Sequence, residues 1–171
     1  VRDISDDEIK KYQSIYQGQD WGWFPDPKAF IRVAYIPNEE KVVLLDELGG
    51  CKIRTKEMAK QIKDKEYDDV ITYCGLDDDE FIIDFRDTGV PAREAIAGPG
   101  SRRYTFEWLQ CRTLVIDPRR TPRAYKEIIE YEHELDGNGE VIADYPDGNN
   151  HFIDALRYAT SPLSMRRGNI S

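Results

Sequence analysis

Two aspartates near opposite ends of this 171-residue sequence, Asp20 and Asp154, stand where a carboxylate can hold a cation or aim a water. Asp154 follows His151 by three residues, so in a helix the two side chains point the same way, and both types bind divalent metals. The ordinary alternative is a solvated helix face with Asp154 supported by Arg157 or Tyr158. Asp20 closes a predicted strand and is followed at once by Trp21-Gly22-Trp23, which puts an acid at a sheet edge beside a rigid aromatic loop. Its ordinary alternative is a turn residue, since aspartate is common after strands. A third locus is Cys74-Gly75-Leu76-Asp77-Asp78-Asp79-Glu80, where a strand gives way to a helix. Ligands often collect at strand ends in α/β sheets. Helix capping explains the same residues, with Asp77 or Asp78 as N-cap and Glu80 completing a capping box with Asp77. A cap and a metal ligand are not exclusive.

Other chemistries find no support. The sequence holds no GxxxxGK[ST], no GxGxxG and no GxSxG, so phosphate-loop hydrolysis, dinucleotide binding and elbow-type serine hydrolysis lose their usual signatures. Three cysteines without a CxxC pair, and two histidines, suit neither a disulfide framework nor a Cys/His zinc site, and a reducing cytosol is expected. The longest apolar runs, such as Val42 to Leu45, are too short to cross a bilayer, and no secretory signal is expected. With 33 acidic and 24 basic residues the formal net charge is −9, whereas a protein that holds nucleic acid by electrostatics alone is expected to be basic. A DNA-related role must then rest on local basic patches, on metal ions or on other parts of a larger protein. Three basic clusters exist: Lys52, Arg54 and Lys56; Arg102 and Arg103; and Arg119, Arg120 and Arg123. Each can contact phosphate. Each can equally serve solubility, unless they converge on one surface.

The elements that must position these residues read as a mixed α/β domain. Ser5 to Glu8 looks like the cap of a short helix. Strands are predicted over Ser14–Asp20, Phe30–Ile36 and Lys41–Leu48, with an aromatic turn at Trp21–Pro27 and a hairpin turn at Asn38–Glu40, giving an antiparallel meander. Helices and strands then alternate: a helix over Thr55–Lys65 with Met58, Ala59 and Ile62 inward, a strand over Asp69–Cys74, a helix from about Asp78 to Asp87, and a strand over Ala92–Ala97. A helix over Arg102–Gln110, a strand over Leu114–Ile116 and a helix from Pro122 follow, then a turn at Asp136–Gly139. The last helix is predicted from about Asn150 to Thr160, stopped by Pro162, with Phe152, Ile153, Leu156 and Ala159 facing the core. Strands alternating with helices imply parallel additions to the meander.

Together these loci resemble the C-terminal nuclease domain of the large terminase subunit of tailed bacteriophages, a ribonuclease H-like fold. The resemblance is carried by Gly18-Gln19-Asp20-Trp21-Gly22-Trp23-Phe24-Pro25-Asp26-Pro27-Lys28-Ala29-Phe30, by the strand Lys41–Leu48, and by Asn149-Asn150-His151-Phe152-Ile153-Asp154-Ala155-Leu156-Arg157-Tyr158-Ala159. The family pattern reads roughly G-x-D-x-G with D-P-x-A-F nearby, and ends in N-H-x-x-D-A-x-R-Y. The match runs from about Gly18 to Thr160.

The resemblance implies a metal-dependent endonuclease that cuts packaged viral DNA, in which carboxylates grip two Mg²⁺ or Mn²⁺ ions about 4 Å apart. It makes Asp20 the first-strand ligand, Asp154 the last-helix ligand and His151 an auxiliary ligand or water-positioning group. The pattern departs in the middle, where the family has an acid at the end of the fourth strand and this sequence has Gly75. Either Asp77 or Asp78 reaches the site through a shifted turn, Asp77 being preferred, or one ligand is missing. Glu47 is a further possible contributor. The DNA contacts expected are Lys52, Arg54, Arg102, Arg103, Arg119 and Arg120. The resemblance further implies a single nuclease domain over 1–171 with its core at about 14–162, and double-stranded DNA as substrate. A packaging ATPase domain of the same subunit, a portal and a small terminase subunit are the implied partners, in the host bacterial cytoplasm and with no membrane. The alternative is a catalytically weak or silent ribonuclease H-like module that docks on the packaging motor or portal. A junction resolvase or transposase core of the same fold is disfavoured by the Asp-Pro-x-Ala-Phe segment and the His-x-x-Asp ending.

Overall fold

The computed structural model describes residues 1–22, 28–75, 79–136 and 150–165. Asp77, Asp78, most of the predicted aromatic turn and the Gly137-Asn138-Gly139 turn lie outside the described residues.

Helix α1 (Asp6–Lys11) starts where Ser5 accepts the Glu8 N–H on its hydroxyl at 3.1 Å, as the cap predicts. Strands β1 (Ile15–Asp20), β2 (Lys28–Ile36) and β3 (Lys41–Gly50) form the meander, both pairings antiparallel. Helix α2 (Thr55–Asp64) buries Met58, Ala59 and Ile62. Then come β4 (Thr72–Cys74), α3 (Asp79–Thr88), β5 (Ala92–Glu94), α4 (Ser101–Gln110), β6 (Thr113–Val115), α5 (Pro122–Asp136) and α6 (His151–Ser164). The sheet order is β5-β4-β1-β2-β3-β6, with β4, β5 and β6 all added in parallel. The predicted mixed sheet with helices on both faces, the ribonuclease H-like arrangement, is what the chain forms.

Alternation along the central strands sorts the two faces. Ala29, Ile31, Val33, Val42 and Leu44 pack with Phe152, Ala155, Leu156 and Ala159 of α6 and with Trp108 and Leu109 of α4. Phe30 on the opposite face packs with α2 and α3 through Met58, Ile62, Ile82 and Phe85. The register between β2 and β3 slips by one residue between Arg32 and Val33. Asp46 opposes Arg32 and Leu44 opposes Val33, so Leu45 is the extra residue. Such a bulge shifts the alternation by one, and it turns Glu47, opposite Ile31, toward the α6 face.

Pro162 does not end the last helix; α6 continues to Ser164 with the proline inside its final turn. The proline has no N–H for the Tyr158 carbonyl four residues back. The Ser161 hydroxyl donates to that carbonyl at 2.8 Å and closes the gap.

Candidate active site

Helix α6 lies directly on β1, and Gly18 makes that possible. A Cβ at position 18 would stand 2.0 Å from the Ala155 carbonyl oxygen and 2.6 Å from the Ala159 nitrogen, so only glycine admits the helix backbone. Asp20, two residues on, points to the same side of the sheet and meets the first turns of α6. There His151 Nδ1 sits 3.0 Å from Asp20 Oδ2. An ionised carboxylate only accepts, so this contact puts a hydrogen on Nδ1.

Asp154 lies one turn further along and is four-fifths shielded at its side chain, with 19% exposed. Burial pushes its carboxyl above the ordinary value, the Arg157 guanidinium pulls it back, and the negative charge of Asp20 adds to the rise. Arg157 reaches Asp154 Oδ1 from Nε at 3.2 Å and from Nη2 at 3.0 Å, while its Nη1 donates to the Thr105 hydroxyl of α4 at 3.1 Å. Asp20, His151 and Asp154 are thus assembled from the first strand and the last helix, on a largely shielded helix face rather than a solvated one.

Gly75 follows β4 immediately and stands beside Asp20. Its N–H donates to the Gln19 carbonyl at 3.0 Å, continuing the pairing of Gln19 with Cys74. The ring of Tyr158 covers it: a Cβ at position 75 would be 3.0 Å from Tyr158 Cε2 and 3.4 Å from both Cζ and the hydroxyl. At the fourth-strand corner, where the family pattern has an acid, this chain has Gly75 with the Tyr158 ring over it. Burial first, and the Asp154 and Asp20 charges after it, push the Tyr158 hydroxyl up to about 12, so it keeps its proton at neutral pH.

Glu127 of α5 is a member of the site that the sequence reading missed. Its carboxylate accepts the Phe152 N–H at 2.7 Å and 3.2 Å, standing in for a cap that the Asn150 side chain does not make. Burial raises its carboxyl to about 8, opposed by the Phe152 N–H and the His151 charge and reinforced by Asp154. The signal was available, because Glu127 shares helical spacing with Ala124, Ile128 and Tyr131, the inward face of α5. Glu47 serves a different end. Its Oε1 accepts the N–H groups of Arg123 and Ala124 at 2.9 Å and 3.1 Å, and Arg123 Nε bonds Oε2 at 2.6 Å, so it caps α5.

The basic residues divide. Arg102, in the first turn of α4, is felt electrostatically by both Asp154 and Tyr158, and it lines a cavity of about 260 Å³ with Ser101, Thr105, Arg157 and Tyr158. Arg103 pairs with Glu107 at 3.0 Å. Lys52 and Arg54 are exposed just after β3, whose end pairs with Lys28 at the Asp20 end of the sheet. Arg119 and Arg120 stand apart. They line a second cavity, of about 580 Å³, with Lys10, Arg32 and Lys65, on the face opposite α6. Arg120 bonds Asp6 at 2.6 Å and Arg119 meets Asp3 at 3.1 Å and Asp117 at 3.4 Å, tying the N-terminal segment to the body.

Hard oxygen donors from Asp20 and Asp154, with His151 beside them, suit Mg²⁺ or Mn²⁺. The fit has a physical sign: Asp20 raises the Asp154 carboxyl, a repulsion that a bound cation would relieve. Among the described residues no group of three or more His, Cys, Asp or Glu side chains is placed to hold a metal.

No protein-family model matches the chain. It is 32% identical over 171 residues to the terminase large subunit of Bacillus phage SPP1, a match covering 98% of this chain and 40% of that protein. The chain thus spans about two fifths of that relative's length. Its structure matches the crystal structure of the g2p (large terminase) nuclease domain from bacteriophage SPP1 with bound Mn at a TM-score of 0.84 and 32% identity, over 92% of this chain and 90% of that one. The P22 large terminase nuclease domain matches at 0.66 with 16% identity, over 90% and 81% of the two chains. The large terminase of the thermophilic bacteriophage D6E matches at 0.64 with 17% identity, over 90% of this chain and 41% of that one. The last two likenesses speak to the fold.

Proposed function

The chain belongs to the phage terminase large-subunit family, in its nuclease domain, and from that premise we propose a divalent-metal-dependent DNA endonuclease that cuts concatemeric DNA during viral packaging. The observation that carries the proposal is the meeting of Asp20 and the His151–Asp154 pair, with His151 hydrogen-bonded to an aspartate 131 positions away. The SPP1 nuclease domain with bound Mn supports a divalent ion at these carboxylates. Mg²⁺ in the same role, and a pair of ions rather than one, belong to the proposal.

A divalent ion held by Asp20 and Asp154 would supply Lewis-acid activation of water and neutralise charge on the reacting phosphate. This chain's own residues set the stage for that chemistry. His151 donates to Asp20 and so fixes its orientation, and it is the proposed auxiliary ligand or water-positioning group. Arg157 holds Asp154 in place against Thr105, and Glu127 anchors the end of α6 that carries His151 and Asp154. Asp77, preferred over Asp78, remains the proposed further carboxylate.

In this reading 1–171 is one nuclease domain with its core at about 14–162, acting in the host bacterial cytoplasm on double-stranded DNA. It works beside the packaging ATPase domain of its own subunit, with a portal and a small terminase subunit as partners. No helix among the described residues is long and apolar enough to cross a membrane. Lys52, Arg54, Arg102 and Arg103 are the proposed phosphate contacts nearest the carboxylates. Arg119 and Arg120, also proposed, require DNA to reach the second face. Gly75 favours a second reading, a weakly active or silent module that docks on the motor or portal.

The test is plasmid cleavage with Mn²⁺. Nicked or linear product from the parent, lost in Asp20→Asn and in Asp154→Asn, supports the endonuclease. Equal cutting by both variants removes these assignments, and absence of Mn²⁺ binding at millimolar metal selects the docking module.

A further inference from the structure

Three features at the end of β4 do not follow from the carboxylate site. Gly75 is not required by its backbone, since it is absent from the residues with positive φ. What requires glycine there is space, because a β-carbon would press on the Tyr158 ring at 3.0 Å. The hydroxyl of this half-buried tyrosine lies at that same spot and makes no hydrogen bond to any described residue, so its proton is available to a ligand. Finally, Tyr158 feels the charges of Asp154 and Asp20 and also lines the cavity that Arg102 and Arg157 line. A proton-bearing donor at the boundary of two carboxylates and a cationic cavity suits one kind of ligand, an anionic oxygen that must pass from one to the other.

We propose that Tyr158 is a substrate-contacting residue, its hydroxyl donating a hydrogen bond to a non-bridging oxygen of a DNA backbone phosphate beside Gly75, with the neighbouring phosphate running into the Arg102 cavity. This deepens the nuclease reading and rests on it for the identity of the ligand. A side chain at position 75 and the ring claim the same volume, so the glycine leaves the ring its place beside the carboxylates.

The experiment reads binding apart from cutting. A labelled short duplex is titrated with parent, Tyr158→Phe, Gly75→Ala and the double variant in Ca²⁺, by fluorescence anisotropy, while Mn²⁺ affinity is read by calorimetry and folding by thermal melting. Tyr158→Phe keeps the ring and removes only the donor. The expected result is about three- to tenfold weaker duplex binding, with Mn²⁺ affinity and melting temperature as in the parent. Gly75→Ala, which displaces the ring, should weaken binding in the parent background and add nothing in the Tyr158→Phe background. Duplex affinity unchanged by Tyr158→Phe overturns the proposal, as does a loss confined to Mn²⁺ affinity, which would make the phenol a support for the cation. A parent that binds duplex but leaves plasmid intact in Mn²⁺ removes the endonuclease reading and leaves the phosphate contact standing. A parent that binds no duplex at all overturns the contact itself.

Discussion

His151 Nδ1 and Asp20 Oδ2 stand 3.0 Å apart, across 131 positions of sequence, and this bond joins the first strand to the last helix at the point where Asp154 enters. Neighbours that orient a ligating carboxylate usually matter by about 10- to 100-fold in metal affinity or activity when removed. His151→Ala is therefore expected to lower the initial rate of plasmid cleavage by roughly that factor, with the melting temperature nearly unchanged. His151→Asn, which can still donate to Asp20, should recover part of the loss. Rates within twofold of the parent for both variants would reduce the bond to a tether.

Gly18 controls whether that meeting occurs at all. The atoms that a β-carbon would meet are the Ala155 carbonyl and the Ala159 nitrogen, both backbone, so nothing can swing aside. Gly18→Ala must push α6 off β1, and overpacking of this kind costs roughly 3 kcal/mol. For a chain of this size that is a fall of about 6 to 12 °C in Tm. Thermal unfolding checks it, and a fall of less than a degree or two would mean that α6 can slide on the sheet.

Glu127 ties stability to pH. Its carboxyl is raised to about 8 from 4.5, by burial above all. Between those values the folded state binds more protons than the unfolded one, so its contribution is complete below about pH 4.5 and is lost as pH rises through 8. Glu127→Gln keeps an oxygen to accept the Phe152 N–H and removes the titration. In metal-free buffer the variant should gain on the parent by roughly 3 to 4 kcal/mol between pH 5 and pH 8, read by urea unfolding at each pH. A constant difference across that range would place the raised carboxyl elsewhere.

The order of strands and helices, the meander and the Asp20 and His151–Asp154 loci were legible because period-two and helical spacing are local signals. What stayed hidden depends on contacts made at a distance. Glu127 reads as an ordinary helix residue until Phe152 arrives above it. Glu47 owes its direction to the bulge at Leu45, which no spacing announces. Tyr158 could be placed on the face of Asp154, yet its position over Gly75 depends on how closely α6 settles on Gly18. Pro162 was misjudged for a narrower reason: a proline rule assumes that the orphaned carbonyl stays orphaned, and Ser161 cancels the assumption.

The basic clusters allow a discriminating measurement. Arg102 borders the carboxylates, whereas Arg119 lies on the other face among Asp3 and Asp117. Removing one phosphate contact should reduce the slope of log affinity against log salt by about 1. Arg102→Ala should do so for a short duplex. Arg119→Ala should do so only if DNA reaches the second face. Equal slopes for the parent and both variants would leave Lys52 and Arg54 as the contacts to examine.

Ser161 yields the last expectation, because its hydroxyl holds two structural gaps at once. It donates to the Tyr158 carbonyl, which Pro162 leaves without a helical partner, and it accepts the Ile96 N–H at 3.1 Å. The side chain is buried, so Ser161→Ala leaves both groups short of a partner, at a cost of about 1 to 3 kcal/mol. In the double variant Ser161→Ala/Pro162→Ala, residue 162 regains an N–H that can donate to the Tyr158 carbonyl. The double variant should then be more stable than the single one, an order opposite to adding two damaging changes. Chemical denaturation of the parent, the two single variants and the double gives the coupling directly. Additive losses would show that the helix passes its proline without help from Ser161.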